Sequence, residues 1–383
     1  MTVVHSTSLW LPVTQNWQYT QIRFLPPRIE SHIVCRRTRN LEQFALPNIH
    51  SLSENFRLRL FWDKRFLNPR MQFYIGFLAE SVKRHKASIL HSHFGYRGWL
   101  DLHVAEKCGV KHAVTFYGAD LGKYLSMDPR WRGRYREMFE QVEAVLCEGP
   151  HMAGLVKELG CPKRKVRVHH LGVDVDGIKF QSRKWAKPEP LRVLIAASFR
   201  EKKGIPCALE ALGALRRDVE LEITIIGDAA DNASGRAEKK KILSVIEKHN
   251  LQSKVRMMGY QPHSVLFEEA YKHHVFLSPS VKASDGDIEG GAPVSIIEMA
   301  ATGMPVVSTK HCDIPHVIHH GASGLLAAER DVDDLVNHLK WLIENPGQWD
   351  TMARSARKHV ETNFNARRQG QELAAVYQAI IDS

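Results

Sequence analysis

Residues 285–309 read DGDIEGGAPVSIIEMAATGMPVVST, and the order of residue types here sets the local architecture. Gly290 and Gly291 permit a tight turn, Pro293 suits the first turn of a helix, and Val294–Ala301 continues with helix formers. The run Pro305–Ser308 then reads as a strand. A loop that enters the amino end of a helix presents unpaired N–H groups and partial positive charge, a combination that holds a diphosphate. Glu298 follows within the next turn or two, near enough for its carboxylate to accept both hydrogen bonds of a ribose diol. Glu289 stands just before the turn.

Working outward, short β-branched or apolar runs alternate with longer helical patterns along the chain, the signature of parallel sheets covered by helices. In the first half the spacing predicts strands at Ser31–Cys35, Ile89–Phe94, His112–Tyr117, Ala144–Glu148 and Val166–Leu171. In the second half it predicts Arg192–Ala197, Glu222–Ile226, Val255–Met258, Val275–Leu277, Pro305–Ser308 and Gly324–Ala327. The expected fold class is therefore α/β, with two successive Rossmann-like domains over residues 1–172 and 191–365. Residues 173–190, with Lys184, Lys187, Pro188 and Pro190, read as an exposed linker. Residues 366–383 carry Leu373, Val376, Tyr377 and Ile380 at helical spacing, as an amphipathic terminal helix would.

Composition narrows the function. At 383 residues, 44% of them apolar, the chain suits two domains with sizeable cores. Its six cysteines stand singly with no CxxC pair, so neither a metal ribbon nor a redox dithiol is expected, and the thiols read as reduced and cytoplasmic. The opening MTVVHSTSLWLPVTQNW has no early Lys or Arg and no sustained apolar run, unlike a secretory signal, and no stretch reaches the roughly 20 apolar residues that span a bilayer. The net charge of +11 is unevenly placed: residues 1–172 hold 26 Lys and Arg against 14 Asp and Glu, residues 173–383 hold 27 against 28. An anionic partner is expected for the first half, such as a membrane surface, an acidic acceptor or a nucleic acid. Phe56–Lys86 interleaves Arg57, Arg59, Lys64, Arg65 and Arg70 with Phe61, Trp62, Phe66, Phe73, Tyr74 and Phe77, which reads either as an interfacial membrane face or as a core helix with a basic edge. Arg130, Arg132, Arg134 and Arg136 form a second basic cluster.

Four blocks together carry a family resemblance. Glu289, Pro293 and Glu298 with the trailing GMPVVST resemble the paired-glutamate motif of the GT4 family of retaining glycosyltransferases. Ala197–Gly204 (ASFREKKG) resembles its diphosphate-binding segment, Met258–Gln261 (MGYQ) the loop that meets the base, and HCDIPHVIHHGASGLLAAERD the end of its nucleotide domain. The resemblance implies a GT-B fold, with a nucleotide-sugar held by the C-terminal domain and the acceptor facing the N-terminal one. It implies a hexosyltransferase-type enzyme without metal or cofactor, using a UDP-sugar donor with a GDP-sugar as the alternative, in assembly of a polysaccharide or glycolipid. On the donor side, Glu298 would bind ribose, Arg200 and Lys203 would neutralise the diphosphate leaving group, and Glu289 would contact the sugar hydroxyls. Gly290, Gly291, Val294 and Tyr260 complete that side. On the acceptor side the resemblance points to Tyr117 and Asp120 in TFYGAD, His93 in ILHSHF, and Thr14, Gln15 and Trp17 in PVTQNW.

Three departures from the family pattern stand out. Eight residues separate Glu289 from Glu298 where seven are usual, Ser198 occupies the usual arginine position with Arg200 two residues later, and Tyr117 replaces the usual histidine. Tyrosine still donates to a sugar hydroxyl but is no base at neutral pH. The family's proposed mechanism needs none, because the leaving phosphate takes the acceptor's proton. Asp285 and Asp287 form a DxD, read as loop carboxylates and not as metal ligands, and His91 with His93 lacks a third zinc ligand of convincing spacing. The competing readings are a glycoside hydrolase, a nucleotide-sugar epimerase of the same fold and a basic nucleic-acid-binding protein. The first leaves Arg200, Lys203 and the helix end unexplained, and no nucleic-acid motif supports the last.

Overall fold

The computed structural model of the chain describes residues 1–12, 15–55 and 72–383. Packing divides it into two units: residues 1–172 together with 366–383, and residues 173–365. The first unit is built on a seven-stranded parallel sheet of order β3-β2-β1-β4-β5-β6-β7. Its strands are β1 (Thr2–Trp10), β2 (Glu30–Thr38), β3 (Ile49–Ser51), β4 (Ile89–His93), β5 (Lys111–Thr115), β6 (Ala144–Cys147) and β7 (Val166–Val168). Alternation puts Val4, Val34 and Leu90 on one face against Tyr74, Leu78 and Val82 of the Phe73–Arg84 helix. Val3, Ile89, Ala113 and Leu146 lie on the other, against Leu373, Tyr377 and Ile380. The Ala366–Ile381 helix is thus part of the first unit's core although it ends the chain.

Two strands, β1 and β3, were not anticipated from the sequence. The central β1 is buried along most of its length, yet its middle reads His5-Ser6-Thr7, which breaks any apolar run. Two of those side chains find partners inside: the Ser6 hydroxyl lies 2.9 Å from the Tyr74 hydroxyl, and His5 Nδ1 lies 3.2 Å from His93 Nε2.

The second unit carries a six-stranded parallel sheet of order β10-β9-β8-β11-β12-β13. Its strands are β8 (Leu191–Ala196), β9 (Leu221–Ile226), β10 (Val255–Gly259), β11 (Val275–Ser278), β12 (Val306–Thr309) and β13 (Leu325–Ala327). Val193, Ile195, Ile223, Leu277 and Val307 pack on one face against Leu209, Leu212, Leu335 and Leu339. Leu194, Phe276, Val306 and Leu326 pack on the other against Ile297, Ala300 and Val360.

Residues 173–190 are not an exposed linker. Val173, Val175, Ile178 and Trp185 are buried in the second unit, and the buried Arg183 guanidinium donates to the carbonyls of Ala270 at 2.8 Å, Thr302 at 3.1 Å and His273 at 3.1 Å. The lysines and prolines suggested a solvated connection, but the apolar residues between them strap the segment to the domain. Arg57 through Arg70 of the basic and aromatic stretch lie outside the described residues. Phe73–Arg84 is a helix whose Tyr74, Leu78 and Val82 face the core, so this part follows the core-helix reading. In the second basic cluster, Arg130 and Arg134 pair with Asp128 at 2.8 and 3.5 Å, and Arg134 stacks on Trp99 and Trp131. Among the described residues no helix is long and apolar enough to cross a membrane.

Candidate active site

In an open parallel sheet, ligands bind beyond the carboxyl ends of the strands where the winding direction reverses. In the second unit that point lies between β8 and β11. The segment after β8 is ASFREKKG, and the one after β11 runs from Pro279 to the Val294–Ala301 helix. Gly204 lets the two approach: its φ is +63°, and a Cβ there would come within 1.8 Å of the Pro279 carbonyl oxygen. The Val281 N–H then donates to the Lys202 carbonyl at 2.8 Å, which fixes the lysines against residues 287–289.

The result is an alternating ionic cluster. Arg200, about half exposed, pairs with the buried Asp287. Lys203 Nζ lies 2.8 Å from Glu289 Oε1, while Lys202 Nζ lies 3.4 Å from Asp287 Oδ1 and 3.5 Å from Glu289 Oε2. The Ser280 hydroxyl donates to Glu289 Oε1 at 2.9 Å. Burial alone would raise the Glu289 pKa, but the charges of Lys203 and Lys202 outweigh it and hold the carboxyl well below its ordinary range. Burial pushes the Lys203 ammonium down, with Glu289 opposing. Three cations thus face two carboxylates, beside the amino end of a helix.

Pro293 precedes that helix in an extended conformation, and the first-turn amides have no intrahelical acceptor by geometry. Gly290, with φ +83°, makes the turn before it. Glu298 is buried on the same helix and accepts a 2.8 Å hydrogen bond from His263 Nε2. Burial disfavours the His263 imidazolium, but the charge and hydrogen bond of Glu298 prevail and its pKa is raised. Tyr260, beyond β10, is partly exposed and donates to the Asp228 carbonyl at 2.8 Å. Arg200, Lys203 and Glu289 thus share one ionic cluster with Lys202, Asp287 and Ser280, while Glu298 pairs separately with His263; the sequence did not single out these four partners as site residues. Asp287, half of the DxD, is committed to Arg200 and Lys202, and the Asp285 carboxylate accepts from the Asp287 N–H at 3.0 Å.

In the first unit the winding reverses between β1 and β4. There Trp17, Phe94 and Tyr117 cluster, with ring centroids 4.3 Å apart for Trp17–Tyr117 and 4.6 Å for Phe94–Tyr117. Phe94 was not singled out from sequence. Its φ of +77° is costly for a bulky residue, on the order of 1–3 kcal/mol, and is held by this aromatic packing and by the 2.9 Å bond from its N–H to the Thr115 carbonyl. Gln15 stands at the N-cap position of the Asn16–Arg23 helix without a side-chain capping bond; Thr14 lies outside the described residues. His93 and Asp120 are fully buried beneath the surface. The Tyr117 N–H donates to Asp120 Oδ2 at 3.0 Å, and burial, opposed by such backbone bonds, raises the Asp120 pKa to about 7.

Tyr117 OH lies 2.8 Å from His93 Nδ1, and His93 Nε2 meets His5. His5 is the neighbour that His91 and His93 lacked in sequence, since it comes from the unforeseen β1. The trio is nevertheless a poor zinc site: both His91 nitrogens are taken, at 2.6 Å by the Tyr377 hydroxyl and at 2.7 Å by Thr115.

Comparison with known proteins shows the family. The family described as Glycosyl transferases group 1 matches residues 177–359, and Glycosyltransferase Family 4 matches residues 17–176. The amylovoran biosynthesis glycosyltransferase AmsK of Erwinia amylovora is 31% identical over 306 residues, covering 79% of this chain and 73% of the relative. The chain is a family 4 glycosyltransferase. A second relative of this glycosyltransferase, the putative colanic acid biosynthesis glycosyltransferase WcaL of Escherichia coli K12, is 31% identical over 301 residues, covering 77% and 71%. The fold of the enzyme is GT-B. Anabaena Alr3699/HepE in complex with UDP and glucose matches it with a TM-score of 0.78 at 14% identity, covering 99% of this chain and 100% of that one. Sucrose-phosphate synthase from Thermosynechococcus elongatus matches at 0.77 and 15%, covering 100% and 99%.

Proposed function

We propose that this glycosyltransferase moves a hexose from a nucleoside diphosphate sugar to a hydroxyl of a growing polysaccharide or glycolipid, with retention of anomeric configuration and without a metal or cofactor. The observation that carries the reading is the convergence of Arg200, Lys202 and Lys203 on the switch point of the second sheet, beside the amino end of the helix that bears Glu298.

The roles follow from charge and position. The diphosphate lies against the Gly290–Val294 turn, where backbone N–H groups and the three cations stabilise the charge that develops as the sugar–phosphate bond breaks. Cations already paired with carboxylates are in place before the donor arrives, so the phosphates exchange partners instead of ordering loose side chains. Glu298, oriented by His263, accepts from the ribose diol, and Glu289 faces the sugar hydroxyls. Tyr260 borders the base. Trp17 and Phe94 offer flat apolar faces to the acceptor sugar, over Tyr117, whose hydroxyl is turned inward to His93. His93, beneath Tyr117, has its pKa lowered to about 3 by desolvation and is too weak a base to take the acceptor's proton, and in this reading the leaving phosphate accepts it.

The relatives named for amylovoran and colanic acid biosynthesis support an exopolysaccharide acceptor. The basic first half supports a peripheral seat on an anionic cytoplasmic membrane surface. A panel of UDP-, GDP- and other nucleotide-sugars read by thermal shift identifies the donor, because a bound ligand raises apparent stability by mass action. Transfer of that donor to a lipid-linked glycan, with the product anomer read by NMR, tests the reaction. Inverted configuration, or activity lost on chelation and restored by a divalent metal while the chelated chain stays folded, overturns the mechanism.

A further inference from the structure

On the sheet face opposite His5, His91 and His93, a second histidine trio lies in the first unit: His32 near the start of β2, His50 within β3 and His85 just after the Phe73–Arg84 helix. His32 shares the face of β2 that Val34 turns toward that helix. Their ligand-capable nitrogens all lie within 4.8 Å of one another. We propose that His32, His50 and His85 bind a divalent transition metal of the zinc class, with Glu30 as the carboxylate that orients His32.

Three features carry the proposal. His32 Nδ1 lies 3.2 Å from His50 Nε2, close to the roughly 3.3 Å that separates two nitrogens on one tetrahedral zinc with bonds of about 2.0–2.1 Å. The other His32 nitrogen, Nε2, lies 3.1 Å from Glu30 Oε1. A ligating imidazole characteristically donates its second N–H to a carboxylate, which fixes the tautomer and strengthens the ligand. Finally, the set is all imidazole and partly open: His32 is buried, while His50 and His85 are half-buried, leaving a path for the ion and a place for water as fourth ligand. Imidazole sets suit zinc, copper, iron or nickel and not magnesium or calcium.

His85 now stacks on His32, with ring centroids 3.7 Å apart, and lies 4.8 Å from His50. Binding needs its ring to turn toward the shared centre, a side-chain rotation at the surface. Such a metal would tie together β2, β3 and the end of a helix, all sequence-distant, and would stabilise the unit without touching the sugar chemistry.

The test uses the full chain, stripped with chelator and titrated with Co²⁺ as a spectroscopic stand-in, then with Zn²⁺ by calorimetry. One equivalent with the absorption of a tetrahedral cobalt site is expected. His50→Gln and His85→Gln, each partly exposed and so tolerant of change, should each weaken binding at least 100-fold. Glu30→Gln should weaken it about tenfold, as loss of an outer carboxylate does. Circular dichroism and nucleotide binding, which reports the second unit, confirm that each variant is folded. No stoichiometric binding, or binding unchanged in both histidine variants, overturns the site. The sugar-transfer rate of chelated enzyme is a separate readout: it tests the metal-free mechanism and leaves this proposal untouched.

Discussion

At the switch point of the second sheet, Arg200, Lys202 and Lys203 interlock with Asp287 and Glu289; at that of the first, Trp17, Phe94 and Tyr117 rest on His93 and His5. One region is built of ions and the other of rings that burial keeps neutral. The pKa of His93 is lowered to about 3 and that of His5 falls well below its usual value, both chiefly through desolvation. The same strand-end geometry thus carries two kinds of side chain. In the proposed function, fixed charges would answer a partner whose charge grows during reaction, and flat neutral rings a sugar that carries none.

Removing one member of the ionic region is the strongest way to break this comparison. Lys203→Ala should lower kcat/KM by about 10²–10³, the usual effect of deleting one preorganised charge-stabilising donor. Titration calorimetry should show affinity lost for the nucleoside diphosphate and kept for the nucleoside; equal losses would contradict a phosphate role.

Glu298→Ala should cost about 1.5–3 kcal/mol of donor binding, the range for hydrogen bonds to a charged group, which is roughly ten- to 150-fold in donor KM. Acceptor KM should not move.

The two regions should also answer pH with opposite sign. Histidines held neutral by burial, such as His93 and His169, have folded pKa values of about 3 against an unfolded 6.5. Their contribution is fully present above pH 6.5 and is lost as pH falls below it, by about 1.4 kcal/mol per pH unit for each. His263 is raised by Glu298, so its contribution is full below pH 6.5 and is lost as pH rises through the folded value. Hydrogen exchange at pH 5 and pH 7.5, resolved by peptide, should therefore show the first unit loosening in acid and the surroundings of His263 tightening. A uniform response would remove the contrast.

The smallest expected effect comes from Tyr117→Phe. Losing the bond to His93 should cost about 1 kcal/mol of stability, read by urea denaturation. Because the Tyr117 hydroxyl is turned inward, the acceptor KM and the donor KM should both stay unchanged.

Much of the second unit was legible because its residues obey local rules. Val193, Ile195, Ile223 and Ile225 mark strands by type alone, and the turn before Pro293 announces a helix end. The first unit hid β1 because His5 Nδ1, the Ser6 hydroxyl and the Thr7 carbonyl meet residues 67 or more positions away, which no local window displays. With β1 unseen, His5 could not be set beside His91 and His93. Arg200 and Lys203 were readable as cations near a diphosphate, whereas their carboxylate partner Asp287 looked like a loop acid until Gly204 brought the two segments together. His263 carries no motif of its own; its meaning comes from the 2.8 Å contact with Glu298.

The seating of Ala366–Ile381 on the first sheet has a consequence for biogenesis. Tyr377 fills that core and holds His91, and a Cβ on Gly370 would come within 2.0 Å of the Phe24 carbonyl oxygen, so this helix is fitted to its place. Yet the ribosome makes it after every other part of the unit. The half that emerges first must wait, with one sheet face uncovered, while 193 further residues are made and their own domain takes shape. Vectorial synthesis and structural completion therefore run in opposite order, and a chain clipped shortly before Ala366 would damage its beginning more than its end.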